Sequence, residues 1–176
     1  DKAVSPISEV SELFPVNWYG LTKQQGEQIL IDATLSSLPI RAVSLRYFNV
    51  AGKHPSGLMV NHSISASQSL FDQIEKTLKF NEPLNIFGDD WNTLDGTCVR
   101  DYIHVSDIVR GHIDALSLLD SGKGFVALNL GAGRGVSVKE VISAFEGIIG
   151  RSLLLKVIGR RNGDVPINYA DCSKAK

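Results

Sequence analysis

Read for the spacing of its apolar residues, the chain alternates between helical and extended patterns. Residues 1–17 carry Pro6, Pro15 and several Ser and Glu, and read as loop. A helical pattern runs from about Tyr19 to Ser36 and stops before Pro39, whose ring and missing N–H cannot continue it. Ile40, Ala42, Val43, Leu45, Tyr47 and Phe48 form a short apolar run that predicts a buried strand. Asn49 to Ser67 is rich in Gly, His, Ser and Asn, and its length as a connection marks it for function. Leu70, Ile74, Thr77 and Leu78 predict a helix ending near Asn81, Leu84 to Phe87 a short strand, and Gly88 to Asp101 a polar loop or hairpin.

In the second half, Val105, Ile108, Val109, His112, Leu116 and Leu119 fall on one stripe of a helix. That stripe predicts a buried face and makes His112 a core histidine. A strand over Gly124 to Leu130, a turn over Gly131 to Gly135, a helix over Val138 to Ile149 and a strand over Leu153 to Val157 follow. Ser137 with Glu140 three residues on is a capping box, each side chain satisfying an orphan amide at the helix start. Strands alternating with helices predict an α/β fold with parallel pairing. No internal repeat or low-complexity tract interrupts it.

Composition narrows the function classes. A chain of 176 residues predicts one domain, or one and a fraction, and 43% hydrophobic against 21% charged residues supports a real core. A formal net charge of −1 provides no field for polyanions, which argues against nucleic acid or an acidic membrane as partner. No stretch approaches the roughly 18 consecutive apolar residues of a membrane span. Cys98 and Cys172 are too few for a metal-ligand quartet or a disulfide framework, so a reducing, cytoplasmic setting is expected. His104 and Asp107 have no second ligand pair or nucleophile in the pattern around them, so neither a metal site nor a triad is expected. The opening Asp1-Lys2-Ala3-Val4-Ser5-Pro6 has no Met and no signal-peptide pattern, and is expected to be a cut end.

The candidate chemistry is Tyr19-Gly20-Leu21-Thr22-Lys23, a phenol and an ammonium four residues apart on one helix face. A tyrosine with a reference pKa of about 10 is a poor base at neutral pH, but a neighbouring cation favours the phenolate. Such a pair suits proton removal from an alcohol during hydride transfer. The spacing alone also fits an ordinary amphipathic surface.

The flanking motifs decide between these. Pro6-Ile7-Ser8-Glu9, Pro15-Val16-Asn17, Leu45-Arg46-Tyr47-Phe48-Asn49, His54-Pro55-Ser56-Gly57 and Ile86-Phe87-Gly88 occur in order with the pair. Asp95-Gly96-Thr97-Cys98-Val99-Arg100-Asp101-Tyr102-Ile103-His104-Val105, Asn129-Leu130-Gly131 and Arg160-Arg161-Asn162-Gly163-Asp164 continue the series. Together they resemble the UDP-glucose 4-epimerases of the extended short-chain dehydrogenase/reductase family, over essentially the whole chain.

That resemblance implies a C-terminal part of such an enzyme: part of a Rossmann-type parallel sheet plus a smaller substrate-binding α/β domain. Residues 1–50 would belong to the NAD-binding domain and 51–176 mainly to the UDP-sugar domain, with 124–130 returning to the Rossmann sheet. The Gly-rich turn and the catalytic Ser that such enzymes carry ahead of the Tyr are not in the sequence, so the chain alone is expected to be inactive. Gly131-Ala132-Gly133-Arg134-Gly135 lies between a strand and a helix, but Val136 replaces the third Gly of a dinucleotide fingerprint and no acidic residue follows at the required distance.

By the same resemblance Tyr19 is the acid/base, Lys23 holds the nicotinamide ribose, and Tyr47 contacts NAD. Asn49 would contact the UDP-sugar, Phe87 line the uracil pocket, Arg100 and Arg161 clamp the diphosphate, and Asp164 accept from a ribose hydroxyl. Tyr47 and Phe48 fit core packing equally well, an isolated Phe87 fits a core, and a loop arginine is usually a solvated one. Asn168 would border the sugar's 2-substituent, where a small side chain admits N-acetylated sugars; it also fits a turn cap beside Pro166. Ser67-Gln68-Ser69-Leu70 stands where the family has Asn-Asn-Leu, and Trp18 and Lys53 depart from the common pattern as well. A homodimer through the Tyr/Lys helix is implied. The rivals are another nucleotide-sugar dehydratase, decarboxylase or glucuronate epimerase, and a non-catalytic nucleotide-sugar-binding module.

Overall fold

The computed structural model describes residues 5–58, 69–120 and 124–176. Its first helix begins where a capping side chain is available: Asn17 Oδ1 accepts from the Gly20 amide at 2.8 Å, so α1 (Trp18–Leu35) opens one residue before Tyr19. β1 (Ala42–Tyr47) follows as expected. β2 (Asn49–Ala51) lies inside the stretch read as loop, of which residues 59–67 fall outside the described residues, as does Gln68 after it. α2 (Leu70–Phe80) is capped by Ser69 and ends at Asn81 in the left-handed region, and β3 (Leu84–Phe87) follows. Two short strands were not expected: β4 (Val99–Arg100), at the end of the stretch read as a polar loop, and β5 (Tyr102–His104), just after it. They escaped the apolar pattern because two or three residues are too few to show a period.

α3 (Val105–Asp120) leads to β6 (Phe125–Leu130), then β7 (Val136–Ser137) and α4 (Val138–Ile149), where both hydrogen bonds of the Ser137–Glu140 capping box are made. β8 (Leu155–Ile158) starts two residues later than expected, because Leu153 turns into the core instead of joining the strand. β9 (Ile167–Asn168) closes the series. The pairings β1–β6, β2–β5, β3–β8 and β4–β9 are parallel, and β4–β7 is antiparallel. Asn168 therefore lies in a strand opposite Arg100, which corrects its reading as a turn cap.

The main core gathers Ile74 from α2, Leu84 and Ile86 from β3, Val141 and Ile142 from α4, and Leu153. The Asp95-Gly96-Thr97 turn ties into its edge. Asp95 Oδ1 accepts from the Thr97 amide at 2.8 Å and from its hydroxyl at 2.7 Å, while its other oxygen accepts from Ser137, the cap of α4. Burial opposes ionisation of Asp95, yet the Ser137 and Thr97 donors and the Lys139 charge hold its carboxyl below the usual range. Gly96 has φ +80, and a Cβ there would come within 2.0 Å of the Asp89 carbonyl oxygen, so this turn admits only glycine. The Asp95-Gly96-Thr97 turn is thus a structural joint.

The α3 stripe is corrected by the structure. Ile108 and Ala115 are buried, but Val109 and Leu116 are 54% and 60% exposed, and His112 is exposed too. The helix packs through its smaller residues: a Cβ on Gly111 would lie 2.7 Å from Leu130, so the contact face runs Ile108, Gly111, Ala115. His112 is no core histidine; its Nδ1 donates to the Ile108 carbonyl at 2.8 Å.

α1 has no buried residue and is fastened to the sheet by polar groups. Arg46 on β1 forks onto Glu27, with Nε 3.0 Å from Oε2, and Ser44 donates to the same oxygen at 2.7 Å. The Arg46 hydrogen bonds hold the Glu27 carboxyl below the usual range against the opposing effect of burial. A lowered carboxylate pKa contributes stability that is fully present above the ordinary glutamate value of 4.5 and lost as pH falls through the lowered one. Glu27→Gln is expected to lower the melting temperature at pH 7 and to leave a smaller further loss on acidification to pH ~3 than the wild type shows. Parallel melting curves across that range check it; identical acid limbs would refute it.

Candidate active site

The helix turn brings Tyr19 and Lys23 together as expected: Lys23 Nζ lies 5.1 Å from the Tyr19 ring centroid. The phenol is 71% exposed, so a ligand can reach it. Tyr102 offers the contrast. Burial pushes its hydroxyl up to about 12, and its ring packs edge-on against Phe71, so it is a neutral packing group. Burial likewise raises the Cys98 thiol, which keeps it an ordinary protonated side chain.

Arg100, Arg161, Asp164 and Phe87 form a second group. Asp164 Oδ1 and Oδ2 accept from Arg161 Nη2 and Nε at 3.1 and 3.2 Å, and Oδ1 is 3.5 Å from Arg100 Nη2. Arg100 Nη1 also donates to the Val165 carbonyl at 2.7 Å. The Arg161 guanidinium lies over the Phe87 ring, 5.0 Å from its centroid. Two guanidinium groups converging on one carboxylate beside an aromatic face suit a diphosphate next to a planar base.

Tyr47, Asn49 and Asn168 line a third region, a cleft of about 390 Å³ with Ile7, Phe48 and Asn129 among its walls. Tyr47 is 52% exposed, so the core reading does not hold for it. Asn168 Oδ1 is buried without a hydrogen-bond partner and faces no donor of the protein. These groups are linked through the backbone. Asn168 pairs with Arg100 across β9 and β4, and a Cβ on Gly163 (φ +84) would lie 3.5 Å from Asn17 Nδ2, so the arginine loop abuts the cap of α1.

The Gly131–Gly135 turn is spent on another role. Asp101 is fully buried, and its carboxylate accepts from the amides of Ala132, Gly133 and Ala170 at 2.7, 3.0 and 3.2 Å. The amides that would cradle a pyrophosphate already hold an internal anion. Among the described residues no cluster of three His, Cys, Asp or Glu side chains has the arrangement of a metal site, and no helix is long and apolar enough to cross a membrane.

Comparison with known proteins accounts for the order of these motifs. Residues 1–131 match the NAD dependent epimerase/dehydratase family. The chain belongs to this family. A UDP-glucose 4-epimerase of Dictyostelium discoideum is 44% identical across 99% of this chain and 52% of its own length. The UDP-glucose 4-epimerase of Bifidobacterium longum, solved with NAD+ and UDP, superimposes with a TM-score of 0.88 at 38% identity, over 98% of this chain and 52% of that one. A UDP-Glc/GlcNAc 4-epimerase of Campylobacter jejuni matches with a TM-score of 0.71 at 36% identity, over 96% and 51%. The chain spans about half the length of the relatives it matches.

Several residues that build the site of this epimerase/dehydratase chain stand in the quoted motifs but received no role from sequence. Asn129 donates from Nδ2 to the carbonyls of Ile7 and Asp171 at 2.8 and 3.1 Å, and its amide donates to Glu9 Oε1 at 2.8 Å. It thereby fastens the Pro6–Glu9 segment over the end of β6, while Arg46 adds a bond to the Glu9 carbonyl at 3.0 Å. A signal existed: both are polar residues inside otherwise apolar strand runs, where an unpaired polar group is costly.

Proposed function

We propose that this chain carries the acid/base pair and the nucleotide-sugar side of an NAD-dependent UDP-glucose 4-epimerase, an isomerase that inverts C4 of the hexose through a 4-keto sugar. One observation carries the reading: the Asn17 cap of the helix that bears the exposed Tyr19–Lys23 pair lies against Gly163, in the loop that carries Arg161 and Asp164. The names of the relatives support the same substrate class. Residues 1–50 together with 124–130 then form the cofactor side, which the parallel β1–β6 pairing supports, and the rest of 51–176 the substrate side.

The residues present fit one end of NAD. Tyr19, Lys23 and Tyr47 offer exposed groups for the nicotinamide ribose, with Tyr47 at the C-terminal end of a parallel strand, where open α/β sheets bind ligands. The pyrophosphate grip is not among the described residues, since the Gly131–Gly135 amides are taken by Asp101. Bound NAD would supply the hydride acceptor and donor at C4. Tyr19 would take the proton from the 4-hydroxyl and return it, with the Lys23 side chain close to its ring. Arg100 and Arg161 would hold the diphosphate, Phe87 the uracil, and Asp164 a ribose hydroxyl. Asn49 would touch the sugar. Holding the nucleotide by charge and the hexose by few contacts lets the keto sugar turn over between the two hydride transfers. The test is direct: the complete NAD-loaded enzyme that contains this chain, given UDP-galactose, should yield UDP-glucose, and no conversion, or a dehydrated or decarboxylated product, would overturn the assignment.

Two finer features belong to the same reading. Asn168 borders the 2-substituent of the hexose, and its unpartnered buried oxygen supports a free polar position there. The enzyme is expected to turn over UDP-N-acetylhexosamines as well as plain UDP-hexoses, and Asn168→Tyr to lower kcat/KM for the former selectively. An unchanged ratio would show that Asn168 is not the gate. Self-association through α1 is supported by its bare apolar residues, Ile29 and Leu35 being 67% and 80% exposed. Two buried free thiols fit a cytoplasmic setting.

A further inference from the structure

Arg160, the neighbour of the diphosphate arginine, is absorbed by none of the roles above, yet it is the more firmly held of the two. Its guanidinium lies over the Trp91 ring with Cζ 4.2 Å from the centroid, Nε donates to Asp90 Oδ1 at 2.8 Å, and Nη2 donates to the Asp90 carbonyl at 2.7 Å. The plane of the guanidinium is set by the stack and its direction by the fork. Trp91 is itself anchored, its Nε1 donating to the Phe87 carbonyl at 2.9 Å. Gly88 makes room for this arrangement: with φ +83, a Cβ there would come within 2.8 Å of both Arg160 Cγ and Trp91 Nε1. Arg161, one residue on, turns to the Phe87 ring and Asp164.

We infer that Arg160 is a positioning residue, clipped to Asp90 and Trp91 so that the neighbouring Arg161 is held ready for the diphosphate of a nucleotide. The inference rests on the nucleotide-sugar reading above. Arg160 and Asp90 are 46% and 70% exposed in their side chains, and an ion pair so open to water adds little to fold stability. Its effect lies elsewhere. An arginine free to wander must be ordered when the diphosphate arrives, at a cost of about 0.5–1.5 kcal/mol per immobilised side chain, or up to about tenfold in affinity. With Arg160 clipped, the loop carrying Arg161 is ordered beforehand. Lysine cannot replace it, since an ammonium neither stacks flat nor forks.

The experiment is calorimetric titration of the full 176-residue chain with UDP and, separately, with uridine. Wild type, Arg160→Ala, Arg160→Lys, Asp90→Asn and Arg161→Ala are compared, with melting temperatures alongside. The expected result is a loss of up to about tenfold in UDP affinity for both Arg160 variants, a smaller loss for Asp90→Asn, and uridine affinity unchanged in all three. Unquenching of Trp91 emission in Arg160→Ala, read in a Trp18→Phe background, would report the lost stack without any ligand. UDP affinity retained in Arg160→Ala but lost in Arg161→Ala overturns the positioning role and leaves the nucleotide reading standing. Equal losses for UDP and uridine, or full rescue by Arg160→Lys, also overturn it. A wild-type chain that binds neither ligand defeats the nucleotide reading and this inference with it.

Discussion

Tyr19→Phe is expected to abolish epimerisation by the NAD-loaded enzyme while leaving UDP affinity within about twofold of wild type. The substitution removes one oxygen and nothing else. The Tyr19 ring stays beside Lys23, whose Nζ lies 5.1 Å from its centroid, and α1 keeps its Asn17 cap. What is lost is the group that exchanges a proton with the 4-hydroxyl, and general acid–base catalysis of this kind contributes roughly 10²–10⁴-fold to rate. In the proposed function the nucleotide is gripped elsewhere, by Arg100, Arg161 and Phe87, so its affinity has no reason to move. Initial rates with UDP-galactose and a UDP titration on the same preparation check both halves. Residual turnover near wild type would remove Tyr19 from the mechanism, and a parallel collapse of UDP binding would make it a structural residue.

Arg100→Ala should do the reverse. The Arg100 side chain is only 13% exposed, so a diphosphate held against it would be largely desolvated, where losing the charged partner costs roughly 2–5 kcal/mol. Arg161 is 43% exposed, and Arg161→Ala is expected to weaken UDP by less than Arg100→Ala does. The free protein tolerates either change, because Asp164 is shared and keeps the other guanidinium. Melting temperature should therefore fall little while affinity falls far. UDP titration of the two variants beside Tyr19→Phe decides it, and equal affinity in all three would refute the division between phenol and arginines.

Both expectations depend on which parts of the molecule were legible in the amino-acid order. Long periodic segments were: α1, α2, α4 and the strands at 42–47, 84–87 and 125–130 follow from apolar spacing and from capping residues such as Ser137 with Glu140. The Tyr19–Lys23 pair was legible too, because a helix makes four-residue neighbours adjacent whatever surrounds it. The decoy turn at 131–135 was recognised by a missing glycine. Only the fold supplied the physical cause, the buried Asp101 carboxylate occupying its amides.

The sequence by itself determined the local chemistry: helix and strand periods, caps, the adjacency of Tyr19 and Lys23, and the motif order that marks the family. Those depend on interactions within a few residues, so local order suffices to state them. Tertiary structure alone decided what faces what. It paired Arg100 with Asn168 through two-residue strands that show no period, and turned the small side of α3 inward so that His112 and Leu116 face out. It also placed Arg160 on Trp91, 69 residues earlier in the chain. Such contacts join residues far apart in the chain, and their energies depend on packing and desolvation, which become defined only once the strands have paired.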